Sequence, residues 1–301
     1  MTQTSWRGQG TPPAEVDATV SLVQSLLDAQ HPDLAHLPLS EVGSGWDNVI
    51  FRLGENLSVR LPRRAAAAQL IVHEQEWLPT FAAALTLPAP VPVRIGQPGC
   101  GFPWRWSVVP WFAGTASDFS APDRSQVPRL AAFFRSLHKP APESAPFNPF
   151  RGVPLHQRIV AAEERLPRLE RETDLITAVV KQAWDRALAA PFDAQPTWLH
   201  GDLHAQNVLV EEGAITAIID WGDVCRGDHA SDLASVWMLF KDRSVREQAM
   251  RACDDVSDAT WERARGWAIL FGIVLFDTGR VANPRHAAMG AQTLLRVAEG
   301  P

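Results

Sequence analysis

Residues 198 to 223 read WLHGDLHAQNVLVEEGAITAIIDWGD, and this stretch decides the reading of the whole chain. It sets His200, Asp202, His204, Asn207 and Asp220 among Val, Ile and Leu residues typical of core strands. Ionisable groups beside such strands are costly to bury unless something binds or reacts there. Asp202 and Asn207 are five positions apart, within one loop's reach, and Asp220 ends an apolar strand. Two carboxylates and an amide oxygen are hard ligands, suited to Mg²⁺ rather than zinc. One carboxylate could instead accept a proton from a hydroxyl. An acidic residue, an amide and a strand-ending acid in this order are what phosphoryl transfer from a Mg-nucleotide requires.

Around that stretch, two apolar runs, NVLV and AITAIID, form a hairpin turned by Glu211, Glu212 and Gly213. A first hairpin is expected near residues 41 to 61, where VIFRL and LSVRL flank GEN. Apolar spacing over residues 14 to 30 predicts an opening amphipathic helix, and a second helix is expected from about Ala65, interrupted near Pro79. The Pro- and Gly-rich segment ending WSVVPWFAG favours strands and turns. Helices dominate beyond about Gly114. The expected fold class is therefore α+β, with a small β-rich N-terminal lobe over residues 1–113. A larger, mostly helical lobe follows over 114–301, and a ligand is expected between them.

The 301 residues are 46% hydrophobic and 21% charged, enough to build a sizeable core. A net charge of −6 argues against a nucleic-acid partner and suits a cationic small substrate. The N-terminal MTQTSWRGQG lacks the apolar run of a leader, and no stretch approaches the roughly 18 apolar residues of a membrane helix. Three scattered cysteines match no metal-ligand spacing, so a cytoplasmic location is expected.

HGDLHAQN matches the kinase catalytic-loop pattern H-R-D-L-x-x-x-N at every defined position but the Arg. With Gly201 there, and with IIDWGD following, the chain resembles the aminoglycoside phosphotransferase family, relatives of choline kinase with a bilobal protein-kinase-like fold. The likeness runs from about Ser44 to the C-terminal helices. It implies that Asp202 is the catalytic base, that Asn207 and Asp220 hold Mg²⁺, and that His200 organises the loop. Asp232 is implied to brace that loop, while Asp228, just before a helical pattern, is read as an N-cap.

The resemblance extends to a nucleotide lid. Residues 43 to 48, GSGWDN, begin like the glycine-rich loop of kinases, with Ser44, Gly45 and Asn48 against the phosphates and Asn48 at the third glycine position. Asn tolerates the left-handed backbone better than most residues. Arg60 stands where protein kinases carry a phosphate-pairing Lys, with Arg63 or Arg64 as substitutes. Its expected partner is Glu74, which falls within the apolar stripe of the following helix, whereas Glu76 points roughly 200° away. Pro110 would offer its C=O, and Phe112 its N–H, to the base of ATP or GTP.

The implied acceptor is a small-molecule alcohol. A cationic aminoglycoside or aminosugar is favoured, with Asp223 and Asp277 as its carboxylates. A macrolide, suggested by 12 tryptophans, or a metabolite such as choline or homoserine is the alternative acceptor. Two other readings are a non-catalytic nucleotide-binding module and a zinc hydrolase using H-x-D-x-H on a strand.

Overall fold

The computed structural model describes residues 13 to 300. The leaderless reading of MTQTSWRGQG therefore concerns residues outside those described. The strands are β1 (Leu39–Ser44), β2 (Asn48–Leu53), β3 (Leu57–Pro62), β4 (Arg94–Gly96), β5 (Trp106–Pro110), β6 (Thr115–Ala116), β7 (Thr197–Leu199), β8 (Val208–Glu211), β9 (Ala214–Ile218) and β10 (Cys225–Gly227). The helices are α1 (Val20–Gln30), α2 (Ala65–Phe81), α3 (Val127–Leu137), α4 (Ile159–Glu163), α5 (Leu166–Glu172), α6 (Ala178–Ala189), α7 (Ala230–Leu233), α8 (Val236–Leu239), α9 (Arg243–Ala252), α10 (Asp258–Ala282) and α11 (Pro284–Ala298).

Two compact units emerge. The first holds the chain through Ala83, then Ala89–Phe112 and Asp220–Gly222; the second holds Ala84–Pro88, Ala113–Ile219 and the chain from Asp223 onward. Asp220 thus clusters with the sheet unit although most of its sequence neighbours do not.

The first unit is an antiparallel sheet in the order β1-β2-β3-β5-β4. Alternation along β2 and β3 sends Phe51, Leu53, Val59 and Leu61 to one face, where they pack with Val23, Leu26 and Leu27 of α1. The other face carries Arg60, on the side of α2. Gln75 of α2 donates to Trp106 O and Ser107 Oγ at 2.9 Å, docking the helix on β5.

Two helix boundaries differ from the sequence expectation. Helix α1 begins at Val20, because Thr19 Oγ1 accepts the Leu22 N–H and caps it there. Helix α2 runs through Pro79 to Phe81 without interruption. Pro79 lies two residues before the helix end with an exposed ring, so only one backbone bond is forfeited.

The second unit is helical, with two small additions that sequence patterning did not separate. Strand β6 extends the β8–β9 hairpin, and β7 pairs with β10 in register Leu199↔Cys225. Helices α10 and α11 pack at backbone distance. A Cβ on Gly290 would sit 2.4 Å from Phe276 N, so only glycine allows that approach. No helix among the described residues is long and apolar enough to cross a membrane.

Candidate active site

Strand β7 delivers the chain into the loop that starts at His200. The Asp232 carboxylate of α7 accepts the backbone N–H of His200 at 2.8 Å and of Gly201 at 3.0 Å. His200 is buried; its Nδ1 accepts the Asp202 N–H, so Nε2 carries the proton donated to Ile219 O at 2.9 Å. Burial alone would raise the Asp232 carboxyl, but its bond to His138 and the fields of His138 and His200 hold it below the usual range. The brace stays charged.

Gly201 explains the departure from the kinase pattern. Its φ is +86°, and an added Cβ would lie 2.3 Å from Asp223 O. Arg cannot occupy that position without displacing the backbone.

Asp202 faces two cationic or donor groups. Arg151 Nη2 lies 2.8 Å from its Oδ1, and His204 Nε2 lies 3.3 Å from its Oδ2. His204 Nδ1 accepts the Gln206 N–H, which leaves Nε2 as the protonated nitrogen. Burial would push Asp202 up; His204 and Arg151 outweigh it and hold the carboxyl well below the usual carboxylate range. Five residues on, a 3₁₀ turn presents Asn207, whose Nδ2 donates to Asp202 O at 2.8 Å. That bond fixes the amide and leaves Oδ1 without a protein partner among the described residues.

Residues 200 to 204 are not a strand, so the alternation needed for an H-x-D-x-H zinc site is absent. Asp228 caps the start of α7 from one residue before the boundary position His229, which makes no side-chain cap bond of its own. Its Oδ1 accepts the N–H of Ala230, the first residue of α7, and its Oδ2 takes Arg263 Nε at 2.7 Å. The carboxylate is fully buried, and the cation offsets its charge.

In the sheet unit, Arg60 Nη1 donates to both Glu74 oxygens at 2.8 and 2.7 Å, and its Nη2 donates to Asp220 Oδ1 at 2.7 Å. Glu74 is fully buried and also accepts the Trp221 N–H at 3.2 Å. Burial pushes the Glu74 carboxyl up while Arg60 pulls it down. Arg60 itself, despite burial, is held above its ordinary value by Glu74 and Asp220. Asp220 takes a left-handed backbone, φ +65°, and leaves nearly half its side chain exposed.

The turn after β1 closes with Gly45 N–H donating to Asn48 O at 2.8 Å. Asn48 is the first residue of β2, opposite Pro62, and its φ is not positive, so the left-handed role expected of it is not used. Paired strand backbone supplies its conformation instead. Ser44 ends β1. Arg63 donates to Gly45 O at 2.9 Å and Arg64 pairs with Asp47 at 2.6 Å, so both secure this turn.

At the end of β5, Trp111 N–H donates to Asn56 O, toward β3. Alternation then turns the Pro110 C=O and Phe112 N–H to the opposite edge. There β4 pairs only as far as Val108, and Phe112 N–H has no protein acceptor among the described residues. A carbonyl acceptor and an amide donor are thus set side by side on an open strand edge.

The carboxylates expected to meet a polycation are engaged. Asp277 pairs with Arg165 at 3.2 Å and Arg168 at 2.5 Å, while Asp223 accepts Asn148 Nδ2 at 2.7 Å. Sequence reading missed Arg151 altogether. It sits in the irregular segment FNPFRGVP, 51 positions before Asp202, with no motif to mark it.

A five-stranded sheet with a buried Arg–Glu pair, and a loop carrying Asp and Asn in a helical unit, define a kinase-like α+β protein. The chain belongs to the phosphotransferase enzyme family (APH), whose family model matches residues 38–267. It is 31% identical over 120 residues to an aminoglycoside 3'-phosphotransferase of Escherichia coli, covering 38% of this chain and 44% of that protein. It is 31% identical over 80 residues to a hygromycin-B 4-O-kinase of Escherichia coli, covering 26% and 24%. These matches span less than half of either curated relative.

Solved structures agree in fold across nearly the whole chain. The GDP and kanamycin complex of APH(2")-IIia has a TM-score of 0.68 at 17% identity, covering 91% of this chain and 97% of the other. The macrolide 2'-phosphotransferase MphH from Brachybacterium faecium has a TM-score of 0.59 at 19% identity, covering 91% and 97%.

Proposed function

We propose that this protein is an O-phosphotransferase that moves the γ-phosphate of ATP or GTP to a hydroxyl of a small molecule. The observation that carries this reading is Asp202, ionised and held by its loop five residues before an amide whose oxygen is free. In this reading the sheet unit binds the nucleotide and the helical unit binds the acceptor. Structural neighbours solved with GDP, and one with ATP and streptomycin, support a nucleotide co-substrate.

Asp202 orients the acceptor hydroxyl and accepts its proton as the oxygen attacks the γ-phosphorus, whose bond to the bridging oxygen breaks and releases the nucleoside diphosphate. Asp232 and His200 keep the loop in shape for that contact. Arg60, anchored by Glu74, supplies a cation to the phosphates, and Pro110 C=O with Phe112 N–H meets the base edge. Ser44, Gly45 and Asn48 lie in the turn that covers the phosphates.

The donor chemistry of Asn207 and Asp220 fits Mg²⁺, each offering a hard oxygen. Asn207 Oδ1 is left free by its own amide's bond, and Asp220 keeps one oxygen clear of Arg60. When bound, the ion neutralises charge on the nucleotide phosphates. The relatives are named for both aminoglycoside and macrolide acceptors, so the family supports an alcohol acceptor of either kind.

The test pairs two variants with two measurements. Asp202→Asn is expected to lower turnover on the order of 10²- to 10⁴-fold while Mg-nucleotide affinity changes little. Asp220→Ala is expected to abolish the divalent-cation dependence of the nucleotide-induced thermal shift together with activity. Near-normal turnover in Asp202→Asn on a confirmed acceptor would sink the mechanism. A nucleotide shift of equal size in chelator would remove the metal roles of Asn207 and Asp220.

A further inference from the structure

The loop between Asp202 and Asn207 is gripped from two sides. Ser117, just past β6, donates its backbone N–H to Ala205 O at 2.9 Å and its hydroxyl to the same oxygen at 2.8 Å. His286, in the first turn of α11, donates from Nε2 to Gln206 Oε1 at 3.2 Å. Burial and the field of His204 lower His286 while Asp202 opposes them, so this ring lies within electrostatic reach of the proposed base.

The neighbours of the two gripping residues join each other. Asp118 takes the Arg285 guanidinium on both oxygens, and that guanidinium lies 4.2 Å from the ring centroid of Phe119. Phe119 is thereby held beside the Asp202–Asn207 loop, yet it is 72% exposed. Phe147, 71% exposed, precedes Asn148, whose amide bonds Asp223; Phe150, 43% exposed, precedes Arg151, which pairs with Asp202. One exposed ring would carry no meaning, but three of them border the residues that hold this loop.

Charge on the same face points the same way. Asp202 is answered by Arg151, Asp118 by Arg285, and Asp277 by Arg165 and Arg168. A polyamine would have to displace an arginine to reach any of these three carboxylates.

We propose that the acceptor is a bulky, mainly apolar alcohol bearing at most one amine, of macrolide type, and that Phe119 is a specificity-determining residue that packs against its apolar body. An aromatic ring gives a large contact area and loses little conformational freedom on binding, more so when a guanidinium already steadies it. This inference rests on the phosphotransferase reading for its hydroxyl and on Phe119 for its apolar contact.

The test uses the full chain with Mg-ATP and Mg-GTP. Nucleotide consumption is followed with erythromycin, which carries one amine on a large lactone, and with kanamycin, which carries several on a sugar scaffold. The expected result is a higher kcat/KM with erythromycin. Phe119→Ala should raise KM for erythromycin about ten-fold or more, with a smaller change in kcat, and Phe119→Leu should recover part of it. Kanamycin as the better acceptor overturns the proposal. So does a Phe119→Ala protein whose nucleotide KM rises while its erythromycin KM stays as in the wild type, because the ring would then serve the nucleotide.

Calorimetric titration of erythromycin, run beside a Mg-nucleotide titration, separates the two ideas. Protein that binds Mg-nucleotide but no erythromycin overturns the apolar acceptor alone. Erythromycin binding that weakens in Phe119→Ala supports the contact, even where no compound is phosphorylated and the phosphotransferase reading fails.

Discussion

Arg151 Nη2 stands 2.8 Å from Asp202 Oδ1, joining two residues 51 positions apart in one ion pair. The pair helps His204 to set the protonation state of the proposed base. Burial favours the neutral acid at Asp202, and His204 with Arg151 reverses that preference. In Arg151→Ala, burial gains weight and the acid limb of kcat/KM moves to higher pH; Arg151→Lys moves it less. An acid limb unchanged in Arg151→Ala would show that His204 alone sets the charge. Because the folded carboxyl lies below its unfolded value near 4, the stabilisation is complete above about pH 4 and is lost as pH falls further.

Arg60 and Glu74 are expected to be energetically coupled. Glu74→Ala leaves Arg60 with Asp220 alone and should cost about 3 kcal/mol in urea unfolding, typical of breaking a buried pair. Arg60→Ala strands a fully buried carboxylate at Glu74, which then protonates. The double variant should cost less than the sum of the singles. Strict additivity would mean that the two side chains stabilise the sheet unit independently.

Gly201→Ala tests the backbone of the loop. At φ +86° a side chain is strained, and the added Cβ meets Asp223 O at 2.3 Å. The expected cost is about 1–3 kcal/mol of stability, with turnover reduced further than stability alone explains, because Asp202 is the next residue. Thermal unfolding and kcat measured on the same preparation check this. Wild-type values for both would show that the loop relaxes freely.

His229 predicts the acid sensitivity of the same region. Burial lowers it to about 4, aided by His138, whose ring lies 5.2 Å away, with Asp228 and Asp232 opposing and Arg263 assisting. The unfolded chain therefore binds more protons than the folded one between about pH 4 and 6.5. Stability from this group is complete above about 6.5 and falls as pH drops toward about 4. His229→Gln should flatten the decline of Tm over that window; an unchanged decline would assign it to other groups.

Much of the site was legible because local chemistry demanded it. Asp202, Asn207 and Asp220 stand out as polar residues beside apolar runs, where burial without a task is costly. Glu74 was separable from Glu76 by helical angle, since only one of them lies on the apolar stripe. Both hairpins follow from period-two runs and their turn residues. Less was legible where a residue's conformation depends on pairing. Asn48 looked like a glycine substitute, yet its strand partner Pro62 places it in extended backbone. Pro79 looked like a break, yet α2 continues past it to Phe81 at the loss of the one backbone bond its missing N–H would have made to Gln75 O. Asp228 reads as a cap and does accept the first amide of α7, but its second oxygen goes to Arg263, 35 positions on, which no local pattern marks.

Sequence by itself determined the α+β division, the order of the motifs and the donor types at the site, because periodicity and side-chain chemistry are local properties. Only the tertiary structure decided which charges meet. Arg151 reaches Asp202, and Arg165 and Arg168 neutralise Asp277, through contacts that no spacing encodes. An ion pair needs distances of a few ångströms, and those come from packing segments far apart in the chain.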